Sequence, residues 1–344
     1  MKRPTISIVM PNYNHATEMR VSLATIVNQS RPADEIIVVD DGSTDTSREV
    51  IAEFAAGCPA LRLVRHGTRQ GVAAAVNRGL AETTTSHIIL ASADERIMPD
   101  MCEQMEMALN DFPDAALVIA QFTEWFPETG LLRYGDDNEC KLWFVDGARP
   151  VWVSARQFQC LLHRRHVRLA ANSAMFARAA LFEVGLFDPA LQWHADWFAI
   201  YAIALRYGFV AVPRVLSWYR VAPGSFSARG ASTLGRQGPV VMALHAKLDD
   251  YNYADIRRAL LRSPSAMAPF MRATLLTLVW QPRRYGRLAR IGLWWLREVL
   301  LGRRPKRWAT ILRHVRDRIP RAGWAGSKTS PFTVRSDRSN DPKW

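Results

Sequence analysis

The residues of this chain best placed to do chemistry are carboxylates that follow strand-like runs. Asp40 and Asp41 come directly after four β-favouring residues, Ile36–Val39, and Gly42 permits a sharp turn behind them. Asp94 and Glu95 follow a matching run, Ile88-Ile89-Leu90, by way of Ala91-Ser92-Ala93. Asp196 stands just before a helical pattern that begins at Trp197. Acceptors at a strand end suit the N–H groups of a base or the hydroxyls of a ribose. Two carboxylates meeting at one sheet edge suit a hard divalent cation and its phosphates. The same aspartates could instead do no more than cap the helices that follow them.

Such residues meet only if the strands that carry them lie side by side. Strand and helix patterns alternate through the first 120 residues. Strands are expected at Ile6–Met10, Ile36–Val39, Leu61–Val64, His87–Ala91 and Ala115–Ala120, with helices at Val21–Val27, Ser47–Ala56, Gly71–Ala81 and Pro99–Asn110. The βαβαβ order predicts a mostly parallel, doubly wound sheet with flanking helices, in which Asp41 and Asp94 share one edge. Residues 121–160 lose that alternation and read as a hairpin with surface loops. The pattern resumes with Ser173–Phe176 extended, Ala179–Val184 helical, a turn at Gly185–Pro189, a helix over Trp197–Tyr207, and two short extended segments either side of Pro213. From Gly238 onward the chain reads as helical.

At 344 residues the chain can bury a large core, and its 49% hydrophobic content is that of a folded protein. Its formal charge is +13, but the charge is unevenly placed. Residues 271–344 carry 18 Lys/Arg against 4 Asp/Glu, so the basic character belongs to the last quarter. The four cysteines are scattered without Cys-x-x-Cys spacing, which argues against a zinc site and fits a reducing cytoplasm. The apolar run Ile6–Met10 is too short for a signal h-region, and no stretch reaches the length of a spanning helix. Neither a P-loop nor a Gly-x-Gly-x-x-Gly fingerprint is present.

Several motifs in sequence order carry a resemblance. Ser7-Ile8-Val9-Met10-Pro11-Asn12-Tyr13-Asn14, Gln29-Ser30-Arg31-Pro32 and Glu35–Asp45 come first. Gly71–Leu80, Ser92-Ala93-Asp94-Glu95 and Met98-Pro99-Asp100 follow, then Gly185-Leu186-Phe187-Asp188, Ala195-Asp196-Trp197 and Tyr219–Ser225. Together, over roughly residues 4–228, they resemble the inverting family 2 glycosyltransferases of the GT-A fold. The resemblance implies that Pro11, Asn12, Tyr13 and Asp41 line a nucleotide base. It implies that Asp94 is the last acid of an Asp-x-Asp motif, holding Mg²⁺ or Mn²⁺ beside the donor's diphosphate, and that Asp196 is the base that deprotonates the acceptor hydroxyl. Two positions depart from the pattern: Ser92 replaces the first acid, and Glu95 follows Asp94 where it can supply a second metal oxygen. The processive Gln-x-x-Arg-Trp motif is missing, so a single transfer is expected.

Arg220 and Ser225 are candidates to close over the donor phosphates. Trp193 and Trp197 are read either as core or as a sugar-stacking pair. His163, His166 and His194 are read mainly as solvated or structural, and Asp188 as a turn residue. The organisation expected is a nucleotide-sugar-binding half over 1–120, an acceptor and catalytic half over 121–237, a basic helical extension over 238–325, and a disordered tail over 326–344. Within the extension, Trp308, Ile311, Leu312, Val315 and Ile319 form one apolar stripe flanked by arginines, as suits an anionic membrane surface bound through residues 283–320. Partners expected are a nucleotide-sugar donor and a glycan or lipid-linked acceptor, with no nucleic acid. The reading is a cytoplasmic, membrane-peripheral transferase of cell-envelope glycans. A non-catalytic, donor-binding protein on the same fold is the alternative that Ser92 suggests.

Overall fold

The computed structural model describes residues 3–134, 140–145, 147–222, 225–231, 233–262 and 264–270, with Ala273 and Leu293. All belong to one compact unit spanning Met1–Trp294. The basic stripes of residues 283–320 and the tail over 326–344 lie outside the described residues, Leu293 apart.

The first half alternates as its sequence demands: β1 (Ile6–Asn12), α1 (Ala16–Val27), β2 (Glu35–Asp40), α2 (Ser47–Gly57), β3 (Leu61–Arg65), α3 (Val72–Ala81) and β4 (His87–Leu90). A two-residue strand β5 (Arg96–Ile97) and α4 (Met101–Asp111) follow, then β6 (Leu117–Phe126), β7 (Leu131–Arg133), β8 (Val151–Val153) and α5 (Ala155–Arg164). The chain continues through β9 (Ala174–Ala177), α6 (Arg178–Glu183), α7 (Ala195–Tyr207) and β10 (Phe209–Arg220). Helices α8 (Phe226–Ala231), α9 (Leu234–Asp249) and α10 (Ala254–Arg262) complete the described fold.

One sheet holds every described strand, in the order β3-β2-β1-β4-β9-β6-β10-β5, with β7 on β6 and β8 on β10. Ladders β3/β2, β2/β1 and β1/β4 are parallel, as the βαβ units predict. The second half is mixed rather than parallel. Strand β9 enters antiparallel between β4 and β6, so the expected fifth strand is one place further out than its sequence order suggests.

The inner strands are buried on both faces, which is why they read as unbroken apolar runs. Ile8, Met10, Ile36 and Val38 pack with Leu23, Ile51 and Met101 from the layer of α1, α2 and α4. Val9, Ile37 and Val39 face the other way, into a cluster with Val76 and Leu80 of α3 and Phe198 of α7. Each such side chain contributes about 1.5–3 kcal/mol. Gly79 lets α3 lie close on the sheet: a Cβ there would sit 2.4 Å from Val9 Cγ1 and 3.1 Å from Val39 Cγ2.

Three local readings change. The stretch read as hairpin and loops contains the β6–β7 hairpin but also α5. That helix starts at a reciprocal box: the Ser154 hydroxyl accepts from the Gln157 N–H while the Gln157 side chain accepts from the Ser154 N–H, and Phe158 and Leu162 are buried one turn apart. The two segments around Pro213 are a single strand, β10, whose pairing with β6 shifts register between Val212 and Val215 where proline has no N–H to give. Helix α4 begins at Met101, leaving Pro99 ahead of it.

Candidate functional site

Strands β1, β2, β3, β4, β6 and β10 all run the same way, so their C-terminal ends form one edge of the sheet. Antiparallel β9 starts at that edge, so Asn172, two residues before it, arrives there too. The ends carry Pro11-Asn12-Tyr13, Asp40-Asp41, the Asp94-Glu95 segment after β4, and Arg220. Open α/β sheets bind ligands at this edge.

Strand alternation gives the two adjacent aspartates different work. Asn12 and Asp40 continue the register of Met10 and Val38, toward α1 and α2. Asp40 is fully buried, takes Arg48 Nε at 2.8 Å, and accepts from Asn12 Nδ2 at 3.3 Å. Asn12 Nδ2 also reaches the Ser43 hydroxyl at 3.2 Å, so this pair ties β1 to the turn after β2. Asp41 falls on the opposite side, 3% exposed, and accepts from the backbone N–H groups of Gln70 and Gly71, both at 2.8 Å. His66 Nδ1 lies 2.7 Å from Asp41 Oδ1, the oxygen that also accepts from the Gln70 N–H. Asp41 thereby shapes the loop from His66 to Gly71, and that loop lays the Arg69 guanidinium 4.2 Å above the Tyr13 ring. Gly42, at φ 76°, leaves room for it, since a Cβ would come within 2.9 Å of the Arg69 amide nitrogen. Half-buried Pro11 and Tyr13 form the wall beside this loop. His66 and Arg69 were not anticipated; their signal was that β3, too, ends on the ligand edge.

Asp94 and Arg220, expected separately, come together. Arg220 Nη1 donates to Asp94 Oδ2 at 3.0 Å, and Glu18 of α1 lies 4.0 Å from the other terminal nitrogen. The short β5 sets this up by pairing Arg96 with Trp218 and Ile97 with Ser217, which brings the segment after β4 alongside the end of β10. Burial pushes the Glu95 carboxyl up to about 8, and the Asp94 charge adds to the shift. The Ser92 hydroxyl, the Arg220 backbone N–H and Asn172 oppose it. Among the described residues no group of three His, Cys, Asp or Glu side chains gathers that could hold a metal alone. Two neighbouring carboxylates do fit a cation that completes its shell with phosphate oxygens and water.

Asp196 lies in the first turn of α7, half-buried, its carboxylate accepting from the Trp197 N–H at 2.7 Å. Burial raises its pKa. The Trp197 N–H, its own N–H and the positive charge of Arg168 pull the other way. Arg168 is set over the rings of Phe122 and Tyr219, 4.9 Å from each, and donates to buried Glu124 at 2.5 Å. Neither Arg168 nor Glu124 stands out in the sequence, because the loop that carries Arg168 and the strand that carries Glu124 meet only in the fold. Around Asp196 the aromatic residues are mostly packing. Trp197 stacks on Tyr201 at 4.8 Å, and Phe270 stands edge-on to Trp197 at 4.6 Å and to His194 at 4.2 Å. Burial pushes His194 down to about 4, so it is a neutral structural group at physiological pH. His166 Nδ1 lies 3.0 Å from the Ser265 carbonyl, and Asp188 is a turn residue that accepts from the Ala190 N–H at 3.0 Å.

A family model described as glycosyl transferase family 2 matches residues 7–179. The uncharacterized glycosyltransferase YibD of Escherichia coli is 36% identical over 126 residues, which are 36% of this chain and 36% of that protein. The PGL/p-HBAD biosynthesis glycosyltransferase of Mycobacterium bovis is 27% identical over 219 residues, covering 62% of this chain and 77% of that one. The matched stretch thus spans only about a third of the Escherichia coli protein. Among solved structures, S. aureus TarS 1-349 in complex with UDP-GlcNAc superposes with a TM-score of 0.55 over 87% of this chain and 92% of that one. Its sequence identity is 11%, so the likeness is one of fold.

Proposed function

The chain belongs to glycosyl transferase family 2, and from that premise we propose that it moves a sugar from a nucleoside-diphosphate donor to an acceptor hydroxyl with inversion. The observation that carries the reading is the pairing of Asp94 with Arg220 at 3.0 Å, beside Glu95, on the ligand edge of the sheet. In this reading Pro11, Asn12, Tyr13 and Asp41 form the wall that meets the nucleotide base. Asp41 acts there mainly by holding the His66–Gly71 loop in shape. Asp94 and Glu95 would hold Mg²⁺ or Mn²⁺, which when bound supplies positive charge to the diphosphate leaving group. Arg220, whose Nη1 donates to Asp94 at 3.0 Å, is placed to donate to the donor phosphates and would be free to do so if Asp94 held the cation. Asp196 receives the acceptor's proton, and its raised pKa suits a general base better than an ordinary carboxylate would. One displacement of this kind inverts the anomeric centre.

The acceptor we propose is a glycan or lipid-linked sugar of the cell envelope, met at the inner face of the membrane, with residues 283–320 on an anionic surface. Among the described residues no helix is long and apolar enough to cross a membrane. A thermal-shift screen of nucleotide sugars with Mn²⁺ identifies the donor, and turnover of that donor is then measured for Asp196→Asn. We expect transfer to be abolished with donor affinity kept within about twofold, since the amide has the same shape but is no base. Near wild-type turnover in this variant would remove the assignment.

A further inference from the structure

The twelve residues that lead into Asp196 follow an unusual path. Gly185 has φ 81°, and two non-glycine residues, Leu186 at φ 59° and Gln192 at φ 48°, also lie on the left-handed side. Gln192 has ψ −119°, outside the ordinary left-handed well. The two non-glycine residues are strained there and persist only when their surroundings fix them. The fixing groups come from opposite directions. From α3, Asn77 Nδ2 donates to the Phe187 carbonyl at 2.8 Å while its Oδ1 accepts from the Phe187 N–H at 3.0 Å. One planar amide thus closes both backbone groups of one residue.

From α9, Lys247 Nζ donates to Asp188 Oδ2 at 3.0 Å, with the other Asp188 oxygen held by the Ala190 N–H. The Lys247 ammonium lies 4.9 Å from the Tyr253 ring and 5.3 Å from that of Phe198, and its side chain is 13% exposed. Tyr253 in turn donates its hydroxyl to the Val184 carbonyl at 3.1 Å. That hydroxyl would stand 2.7 Å from a Cβ at position 185, so the glycine makes the contact possible. Trp193 packs flat enough on Gly230 that a Cβ there would fall 2.2 Å from its ring. These clamps hold the backbone upstream of Asp196 and touch neither Asp94 nor Arg220.

We infer that Asn77 and Lys247 are positioning residues that hold the 184–195 segment so that Asp196 is presented at the sheet edge, an inference that rests on Asp196 being the base. Residues 234–253, which the sequence divides from the catalytic half near residue 238, then belong to the catalytic apparatus through Lys247 and Tyr253. A part-buried amide–backbone clamp and one shielded ion pair are enough to decide where a strained segment sits, because its alternatives are unstrained.

The test compares Asn77→Ala, Lys247→Met, Lys247→Arg and Asp196→Asn in the full chain. Amide hydrogen exchange of the 184–196 peptide is followed by mass spectrometry, and turnover is followed with the nucleotide sugar chosen by the screen above. Expected for Asn77→Ala and Lys247→Met is exchange at least about tenfold faster in that peptide alone, as weakened protection against local opening predicts. A tenfold or greater fall in kcat with donor KM within about twofold should accompany it. Lys247→Arg, which keeps the charge, should restore both readouts. Should kcat stay within twofold for both disrupting variants while Asp196→Asn is inactive, the positioning role is overturned and the base assignment stands. An active Asp196→Asn overturns both. Loss of donor affinity in step with kcat would mark the clamps as general structure and overturn the proposal.

Discussion

Replacing Glu95 by Gln should stabilise the folded chain at alkaline pH and leave it almost unchanged at acidic pH. In the fold the Glu95 carboxyl is pushed up from 4.5 to about 8, chiefly by burial and secondly by the Asp94 charge. Between those two values the folded state keeps a proton that the unfolded state has lost, so stability falls as pH rises through the window. The penalty is absent below about 4.5 and complete above about 8. Each pH unit corresponds to about 1.4 kcal/mol, which sets a ceiling of about 5 kcal/mol. Water reaching this solvent-facing edge lowers the expected gain to about 2 kcal/mol. Glutamine is neutral throughout and keeps the shape, so Glu95→Gln escapes the penalty. Urea unfolding of the two proteins at about pH 5, 7 and 9 reads the gap directly. It should be near zero at the lowest pH and widest at the highest. Adding Mn²⁺ at high pH should narrow it, because only the carboxylate gains from the cation. A gap that is the same at all three pH values would refute the burial argument.

The other predictions concern separate parts of the molecule. Asp94→Ala removes a proposed metal oxygen and leaves Arg220 facing the edge without its partner. Nucleotide binding should then lose its Mn²⁺ dependence and weaken by about tenfold or more, and an unchanged Mn²⁺ titration would contradict the assignment. Gly79→Ala drives a methyl group into Val9 and Val39, and despite alanine's better helix propensity it should destabilise the fold by about 1–3 kcal/mol in urea unfolding. The full chain should co-sediment with anionic liposomes and release them at high salt. Deleting residues 283–320 should abolish that binding, and a deletion that binds equally well would exclude the proposed surface.

Much of this was legible because local sequence and fold agreed. Ile36–Val39 is apolar on both faces, so it had to be an inner strand, and an aspartate after such a strand had to stand at the ligand edge. The same logic placed Asp94 and located α3, α4 and α7. Where reading failed, the deciding contact was remote. The α5 start signal, Ser154 with Gln157, was hidden among aromatic residues whose partners lie elsewhere in the chain. Pro213 looked like a break because nothing local shows that β6 tolerates a register shift there.

By itself, then, the sequence determined the parallel half of the sheet, the family, and the acidic residues that line one edge, since all of these follow from periodicity and short motifs. Only the tertiary structure decided the insertion of β9, the meeting of Asp94 with Arg220, and the different duties of Asp40 and Asp41. It also decided that Asn77 and Lys247 grip the segment before Asp196. The reason is physical. The contacts of Asp94, Asn77 and Lys247 join groups 59 to 126 positions apart in the chain, and no local pattern encodes such a meeting.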